Sequence, residues 1–329
     1  MSGIDICLEK YKGWCLKLGI SHISDINNAV DSGKENQLIN ISEAWQSQNI
    51  SEIALKIKEH ISHKKIILIS GPSSSGKTSF ARRLQLHLKV LGIHGVPISL
   101  DDYYKDTKDI ELGDDGKPDF ESPEAIDYSC FNDNVSRLIN GETVAVPKFD
   151  FDKSQRIPEH RLLKLHDDEV IIAEGLHALN PKFAVSISDN NKYKIYCSAL
   201  TALSYDDGSR IKSRTTRLIR RIIRDFYFRN SSYSYTFSLW ANEEKGSEKY
   251  IFPYTDTADI IFNSSLLYEF AVYRKYLNNI FAEVPENDLY IDKIRELEAL
   301  VNAFRPIDRE LTPNHSLIRE FTGGSSLEF

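Results

Sequence analysis

The sequence predicts an α/β fold with a mostly parallel sheet, and three observations carry the prediction. Short β-branched runs recur through the middle of the chain. Stretches with helical spacing separate them. The first run ends in a glycine-rich turn that opens a helix. Strands covered on both faces read as continuous apolar runs, and successive parallel strands need a helical crossover between them.

In chain order, residues 1–63 are predicted helical. Between 41 and 61, Ile41, Ala44, Trp45, Ile53, Ala54 and Ile57 recur at three- and four-residue steps, with an irregularity near Ile50. Ile66-Ile67-Leu68-Ile69 is brief, apolar and ended by Gly71-Pro72, as a buried strand would be. Phe80, Leu84, Leu88 and Leu91 then form one helical stripe beginning at Lys77. Further strands are expected at 96–100, 169–173, 194–197 and 258–262. From Pro285 the pattern is mixed helix and loop, and the Gly-Gly-Ser-Ser ending is expected to be partly flexible. The resulting organisation is a helical N-terminal extension (1–63), a core (64–284) and a helix-and-loop tail (285–329).

Composition narrows the function classes. A chain of 329 residues with 41% hydrophobic and 27% charged residues can bury a substantial core. Its net charge of −7 argues against a broad nucleic-acid-binding surface, which is usually basic. Cys7, Cys15, Cys130 and Cys197 form no C-x-x-C pair, so free thiols are expected rather than a disulfide or a metal site. No apolar run reaches the roughly 18–20 residues a membrane span needs, and the N-terminus lacks an apolar signal core. A cytoplasmic location without membrane attachment is the default expectation.

Residues 71–78, Gly-Pro-Ser-Ser-Ser-Gly-Lys-Thr, match G-x-x-x-x-G-K-[ST], the phosphate-binding P-loop. Phosphates carry dense negative charge. The amides of such a loop meet them, and the helix that follows adds its positive end. Gly71 and Gly76 allow a close backbone approach. Ser73, Ser74, Ser75 and Ser79 complete the cradle, Lys77 reaches the β- and γ-phosphates, and the Thr78 hydroxyl suits Mg²⁺. The motif follows a predicted strand and opens a predicted helix, which makes the expected fold a P-loop NTPase three-layer α/β/α sandwich that uses ATP.

Ligands of open parallel sheets bind beyond the C-terminal strand ends. Two such ends carry acids: Asp101 after the second strand and Glu174 after the third. Transfer to an alcohol needs a group that orients or deprotonates the hydroxyl, and Mg²⁺ needs hard oxygen ligands. Asp101 suits both tasks and Glu174 the second. A turn or capping role is the alternative for either acid.

Positive charge concentrates at Arg217, Arg220, Arg221, Arg224 and Arg229. On a helix the first four share one face, opposite Leu218, Ile219, Ile222, Ile223 and Phe226. Asp225 is the one acid near them in sequence, so the cluster is expected to be under-neutralised and to act as a lid over ATP, at about 205–250. RNA binding by this face is the rival reading.

Together these segments resemble the uridine kinase branch of the phosphoribulokinase/uridine kinase P-loop family, over about 64–280. Asp101-Asp102-Tyr103-Tyr104 is similar to the family's Asp-x-[Phe/Tyr]-Tyr motif, whose first Asp is the catalytic base. The segment from Phe120 to Asp127 resembles the ribose-contacting stretch. Pro147-Lys148-Phe149-Asp150-Phe151 with Arg156 resembles the base-recognition hairpin. Glu174-Gly175 matches the Mg²⁺-linked glutamate, and Arg221, Arg224 and Arg229 fall on the lid pattern. EGLHALNP, RLIRRIIRDFYFRN and the ending IREFTGGSS are similar to a subgroup whose long members carry an N-terminal TGS and threonyl-tRNA-synthetase-like region. That region is expected to be absent here, and no RNA-linked role is carried over with it.

The resemblance implies ATP- and Mg²⁺-dependent phosphorylation of a nucleoside 5′-hydroxyl by a homo-oligomer, a dimer or tetramer. It implies acceptor contacts from Asp101, Tyr104, Glu121, Phe149, Ser154, Arg156 and Arg221. His177, three residues after Glu174, is a further candidate. The chain departs from the family where the ribose-contacting Asp is Glu121, the base-side Tyr is Phe149 and the pyrimidine-reading His is Ser154. A kinase for another small alcohol, of the phosphoribulokinase, pantothenate kinase or glycerate kinase type, therefore stays open. So does a non-catalytic nucleotide-binding module.

Overall fold

The computed structural model describes residues 1–60, 65–113, 116–150, 153–166 and 168–327. The chain opens with α1 (Gly3–Lys17), α2 (Ile23–Asp31) and α3 (Glu35–His60). Then follow β1 (Ile66–Ser70), α4 (Lys77–Val90), β2 (His94–Ser99), α5 (Tyr128–Ile139) and a hairpin of β3 (Thr143–Asp150) and β4 (Gln155–Lys164). β5 (Glu169–Glu174), β6 (Lys192–Ser198), α6 (Ser213–Phe228), α7 (Tyr233–Tyr250) and β7 (Ile260–Asn263) complete the middle of the chain. α8 (Glu269–Phe281), α9 (Ile291–Asn302) and the single turn α10 (Arg319–Thr322) close it.

Five strands pair in the order β2-β5-β1-β6-β7, every pairing parallel. All five residues of β1 are buried, as its unbroken apolar run requires. Successive side chains point to opposite faces. Ile66 and Leu68 join Ile98, Ala173 and Phe131 of α5 on one side. Ile67 and Ile69 join Ile53, Ile57, Phe80 and Leu84 of α3 and α4 on the other. Each fully buried aliphatic chain contributes about 1.5–3 kcal/mol, so sheet and helices hold one another in three layers. The helix-rich remainder has its own core, in which Ile219, Ile222 and Ile223 of α6 meet Phe270, Phe304, Leu317 and Phe321.

At this core the structure departs from the sequence reading at Phe226, which lies outside it and is exposed, because α6 ends two residues later. The residues just before the Gly-Gly-Ser-Ser ending are packed, with Leu317, Ile318 and Phe321 fully buried, while Gly324 and Ser326 of the ending are exposed.

Candidate active site

The P-loop bends between β1 and α4, at the C-terminal edge of the sheet. A Cβ on Gly71 would lie 2.2 Å from Cys197 O, and one on Gly76 would lie 2.7 Å from Leu317. At Gly71 the obstacle is backbone, and at Gly76 it is the end of the Leu317 side chain. Gly76 has φ +85° and Ser74 φ +58°, turning the loop's amides inward. Lys77 is buried and donates from Nζ to Pro72 O at 3.1 Å. Among the described residues, the buried hydroxyls of Ser74 and Ser75 have no hydrogen-bond partner. A loop with inward amides, a lysine and idle hydroxyls fits a polyphosphate.

Parallel pairing of β2 with β5 sets Ser99 opposite Glu174. The Ser99 hydroxyl donates to Glu174 Oε1 at 3.0 Å and accepts the Asp101 N–H at 3.3 Å. The two acids expected at strand ends are thus brought side by side. Enclosure raises both carboxyl pKa values. Their mutual repulsion adds to Glu174, and Lys77 opposes the rise in each. Asp101 Oδ1 is shut off from solvent without a hydrogen-bond partner among the described residues. No cluster of three or more His, Cys, Asp or Glu side chains suited to a metal occurs among the described residues. Mg²⁺ needs fewer protein ligands when phosphates and waters supply the rest. The orphaned Asp101 oxygen, Glu174 and the Thr78 hydroxyl fit that requirement.

Four of the residues expected to contact the acceptor are withdrawn from solvent: Tyr104, Phe149 and His177 are buried, and Glu121 is partly so. Tyr104 is buried, its hydroxyl donating to Phe120 O at 3.1 Å. Its ring meets those of Phe120 and Phe149 edge-on, both at 5.7 Å. Glu121 has a solvent-excluded Oε2 without a hydrogen-bond partner among the described residues. Enclosure and the neighbouring Glu243 push its carboxyl up to about 8, against the pull of Arg221. His177 is buried beside Phe183, and enclosure holds its imidazole down to about 4, so it is neutral.

The hairpin residues fall elsewhere. Ser154 is exposed, with φ +53°, and its carbonyl accepts from Thr107 N–H and Oγ1. Arg156 donates to Asp127 at 2.8 Å. Phe151 lies outside the described residues.

The arginine helix needs correction. Arg217, Arg220, Arg221 and Arg224 do not form one under-neutralised face. Arg217 is paired with Glu243 of α7 at 2.7 Å, and Arg220 with Glu269 of α8 at 2.8 Å. Their other donors reach the P-loop carbonyls of Ser73 (3.3 Å) and Ser74 (3.4 Å). Arg221, Arg224 and Arg229 instead gather around Asp225. Arg229 and Arg224, after Lys77, oppose the rise that enclosure gives the Asp101 carboxyl, and Arg221 opposes that of Glu121.

Three acids that build this site were missed in the sequence: Glu243, Glu269 and Glu320. Glu243 Oε1 accepts the Ser73 N–H at 3.2 Å. Glu320 accepts from Ser79. Nothing in their spacing marks them, because each comes to the loop from a distant helix.

The Phosphoribulokinase / Uridine kinase family is matched over residues 66–267, more than half of the chain. A uridine kinase of Staphylococcus haemolyticus is 30% identical over 198 residues, which is 60% of this chain and 86% of that protein. A uridine kinase of Schizosaccharomyces pombe is 37% identical over 128 residues, 38% of this chain and only 27% of that protein. A solved structure of a possible uridine kinase from Bacillus stearothermophilus overlays with a TM-score of 0.43 and 18% identity, covering 66% of this chain and 98% of that one. With the phosphate loop and both strand-end acids inside the matched region, the chain belongs to the phosphoribulokinase/uridine kinase family.

Proposed function

We propose that this protein transfers the γ-phosphoryl group of ATP to the 5′-hydroxyl of a nucleoside, with uridine and cytidine as first choices. Family membership supports the coarser statement, a kinase acting on a small molecule. One observation carries the finer reading. The Asp101 carboxyl sits beside Glu174, within the influence of Lys77, Arg229 and Arg224, with an oxygen that no other described residue engages. A base so placed can accept a hydrogen bond from an acceptor hydroxyl and take its proton as the new bond forms.

In this reading the residues divide the labour. The amides of residues 73–79 and Lys77 hold phosphate oxygens. Arg221, Arg224 and Arg229 offset charge on the transferring group and exclude water as the acceptor is enclosed. Thr78, Glu174 and Asp101 would hold Mg²⁺, which when bound supplies charge neutralisation of the phosphates. Glu121 would accept from sugar hydroxyls, and the Tyr104, Phe120 and Phe149 rings offer an apolar wall for a base.

A screen of nucleosides, ribulose 5-phosphate, pantothenate and glycerate with labelled ATP tests the reading. Stimulated transfer to uridine or cytidine is expected, and transfer to none of the nucleosides overturns the acceptor assignment. A different small alcohol is favoured by one observation: Arg156 is engaged by Asp127, and Ser154 lies at the exposed rim. Asp101→Asn is expected to keep Mg·ATP affinity and to lose turnover by roughly 100- to 10,000-fold. Unchanged turnover removes Asp101 as the base.

A further inference from the structure

The first turn of α4 holds a carboxylate that comes from the end of the chain. Ser79 is the third residue of α4, so its N–H is among the first-turn donors without an intrahelical partner. Glu320 Oε2 accepts this N–H at 3.2 Å and the Ser79 hydroxyl at 2.5 Å. Anions are drawn here by those donors and by the positive helix end. In a P-loop the same donors cradle nucleotide phosphates.

The backbone around Glu320 is fixed. Leu317 packs against Gly76. Ser316 Oγ donates to Glu43 at 2.5 Å and meets the Tyr268 hydroxyl at 3.1 Å. Arg319 is buried and donates to Thr312 O at 2.7 Å. The Arg220 guanidinium lies 5.2 Å from the Phe321 ring centroid. Glu320 itself is only half-buried, so its side chain can turn outward while α10 stays docked. Glu243, the other carboxylate on the loop, differs in being committed to Arg217.

We propose that Glu320 is a resident anion that the nucleotide displaces, so that the C-terminal segment sets nucleotide affinity. A phosphate oxygen and the Glu320 carboxylate cannot share the Ser79 donors. A carboxylate left beside the phosphates also repels them. The inference rests on the reading that ATP binds at this loop.

Calorimetric titration of the full chain, Glu320→Gln and Glu320→Ala with Mg·ATP, and separately with magnesium tripolyphosphate, tests it. Both variants are expected to bind both ligands about tenfold more tightly, the worth of one charge-assisted hydrogen bond no longer lost. Without ligand, both are expected to melt below the wild type, because the first turn of α4 has lost its anion. Equal or weaker affinity in a folded variant makes Glu320 a plain helix cap and overturns the proposal. A gain with Mg·ATP that tripolyphosphate does not share overturns it as well. Binding of neither ligand by any of the three proteins sinks the ATP reading itself, and this inference with it.

Discussion

Arg217 and Arg220 stand one turn from Arg221 and Arg224 on the same helix, yet the two pairs live in different electrostatic worlds. Arg217 and Arg220 are 4% and 0% exposed, and each has a carboxylate of its own from another helix. Their charge is consumed in holding α6 to α7, α8 and the P-loop backbone. Arg221, Arg224 and Arg229 share the single carboxylate of Asp225. That leaves surplus positive charge, and it bears on Asp101 and Glu121. Residue type and helical phase do not separate the two sets. What separates them is which distant acid arrives. Arginines with a private partner are expected to hold the fold, and those in surplus to meet incoming charge.

Breaking a private pair should give the largest effect. Glu269→Gln leaves the Arg220 guanidinium at the centre of the helical core without its counter-charge. Losing one member of a buried pair costs about 3–5 kcal/mol, on the order of a 10 °C fall in melting temperature for a chain this size. Replacing both Arg220 and Glu269 with apolar residues should recover much of the loss, since no charge is then stranded. Thermal denaturation followed by circular dichroism reads this directly. A Glu269→Gln protein that melts with the wild type would dissolve the contrast between the two sets.

The opposite pattern is expected from the surplus set. Arg224→Ala should leave the melting temperature within a few degrees, because its pairing with Asp225 is duplicated by Arg221 and Arg229. Its turnover should fall roughly 100- to 1,000-fold, the typical loss when one donor to a developing charge is removed. Steady-state kinetics with the acceptor identified by the screen measures it. A variant that loses stability but keeps turnover would place Arg224 with Arg217 and Arg220.

The contrast also marks the limit of what the sequence could show. The five strands, the helix after the loop and the order of elements are legible because burial on both faces writes apolar runs and stripes into the chain. The P-loop and the strand-end acids are legible for a related reason, since their chemistry needs fixed residue types at fixed local spacing. The division of the arginines is not. Glu243 lies 26 residues beyond Arg217 and Glu269 lies 49 beyond Arg220. A helical wheel of α6 contains neither acid, so counting charges near Asp225 overstates the surplus. The C-terminal segment hides its contacts in the same way. Gly323 and Gly324 suggest looseness, whereas Leu317 and Phe321 just before them are buried and Glu320 engages the P-loop helix. The hairpin of β3 and β4 emerged from family resemblance alone, because its second strand is largely exposed and has no apolar period to read.

The smallest expected effect concerns Arg221 and the carboxyl it faces. Glu121 has its pKa raised to about 8 by enclosure and by Glu243, with Arg221 pulling it down. A carboxyl that titrates higher in the folded state than in the unfolded chain makes the folded state hold the extra proton. The stability it contributes is therefore whole below its ordinary pKa near 4.5 and drains away as pH rises towards 8. Other acids in the site titrate in the same window, so the wild type alone does not isolate the effect. The informative quantity is the difference in unfolding free energy between the wild type and Glu121→Gln, which cannot ionise. That difference should shift against the wild type between pH 5 and pH 8, by about 1 kcal/mol in all once relaxation and water entry are allowed for. In an Arg221→Gln background the Glu121 carboxyl loses its nearest surplus cation, so its pKa climbs further and the decline should continue above pH 8. The double change Arg217→Gln/Glu243→Gln removes the private pair whole and strands no charge, so it should move that decline downward if at all, because Glu243 no longer raises the Glu121 carboxyl. Should the double change move it upward as far as Arg221→Gln does, charge on α6 would reach the acceptor side without regard to pairing, and a private carboxylate would not be what silences an arginine here.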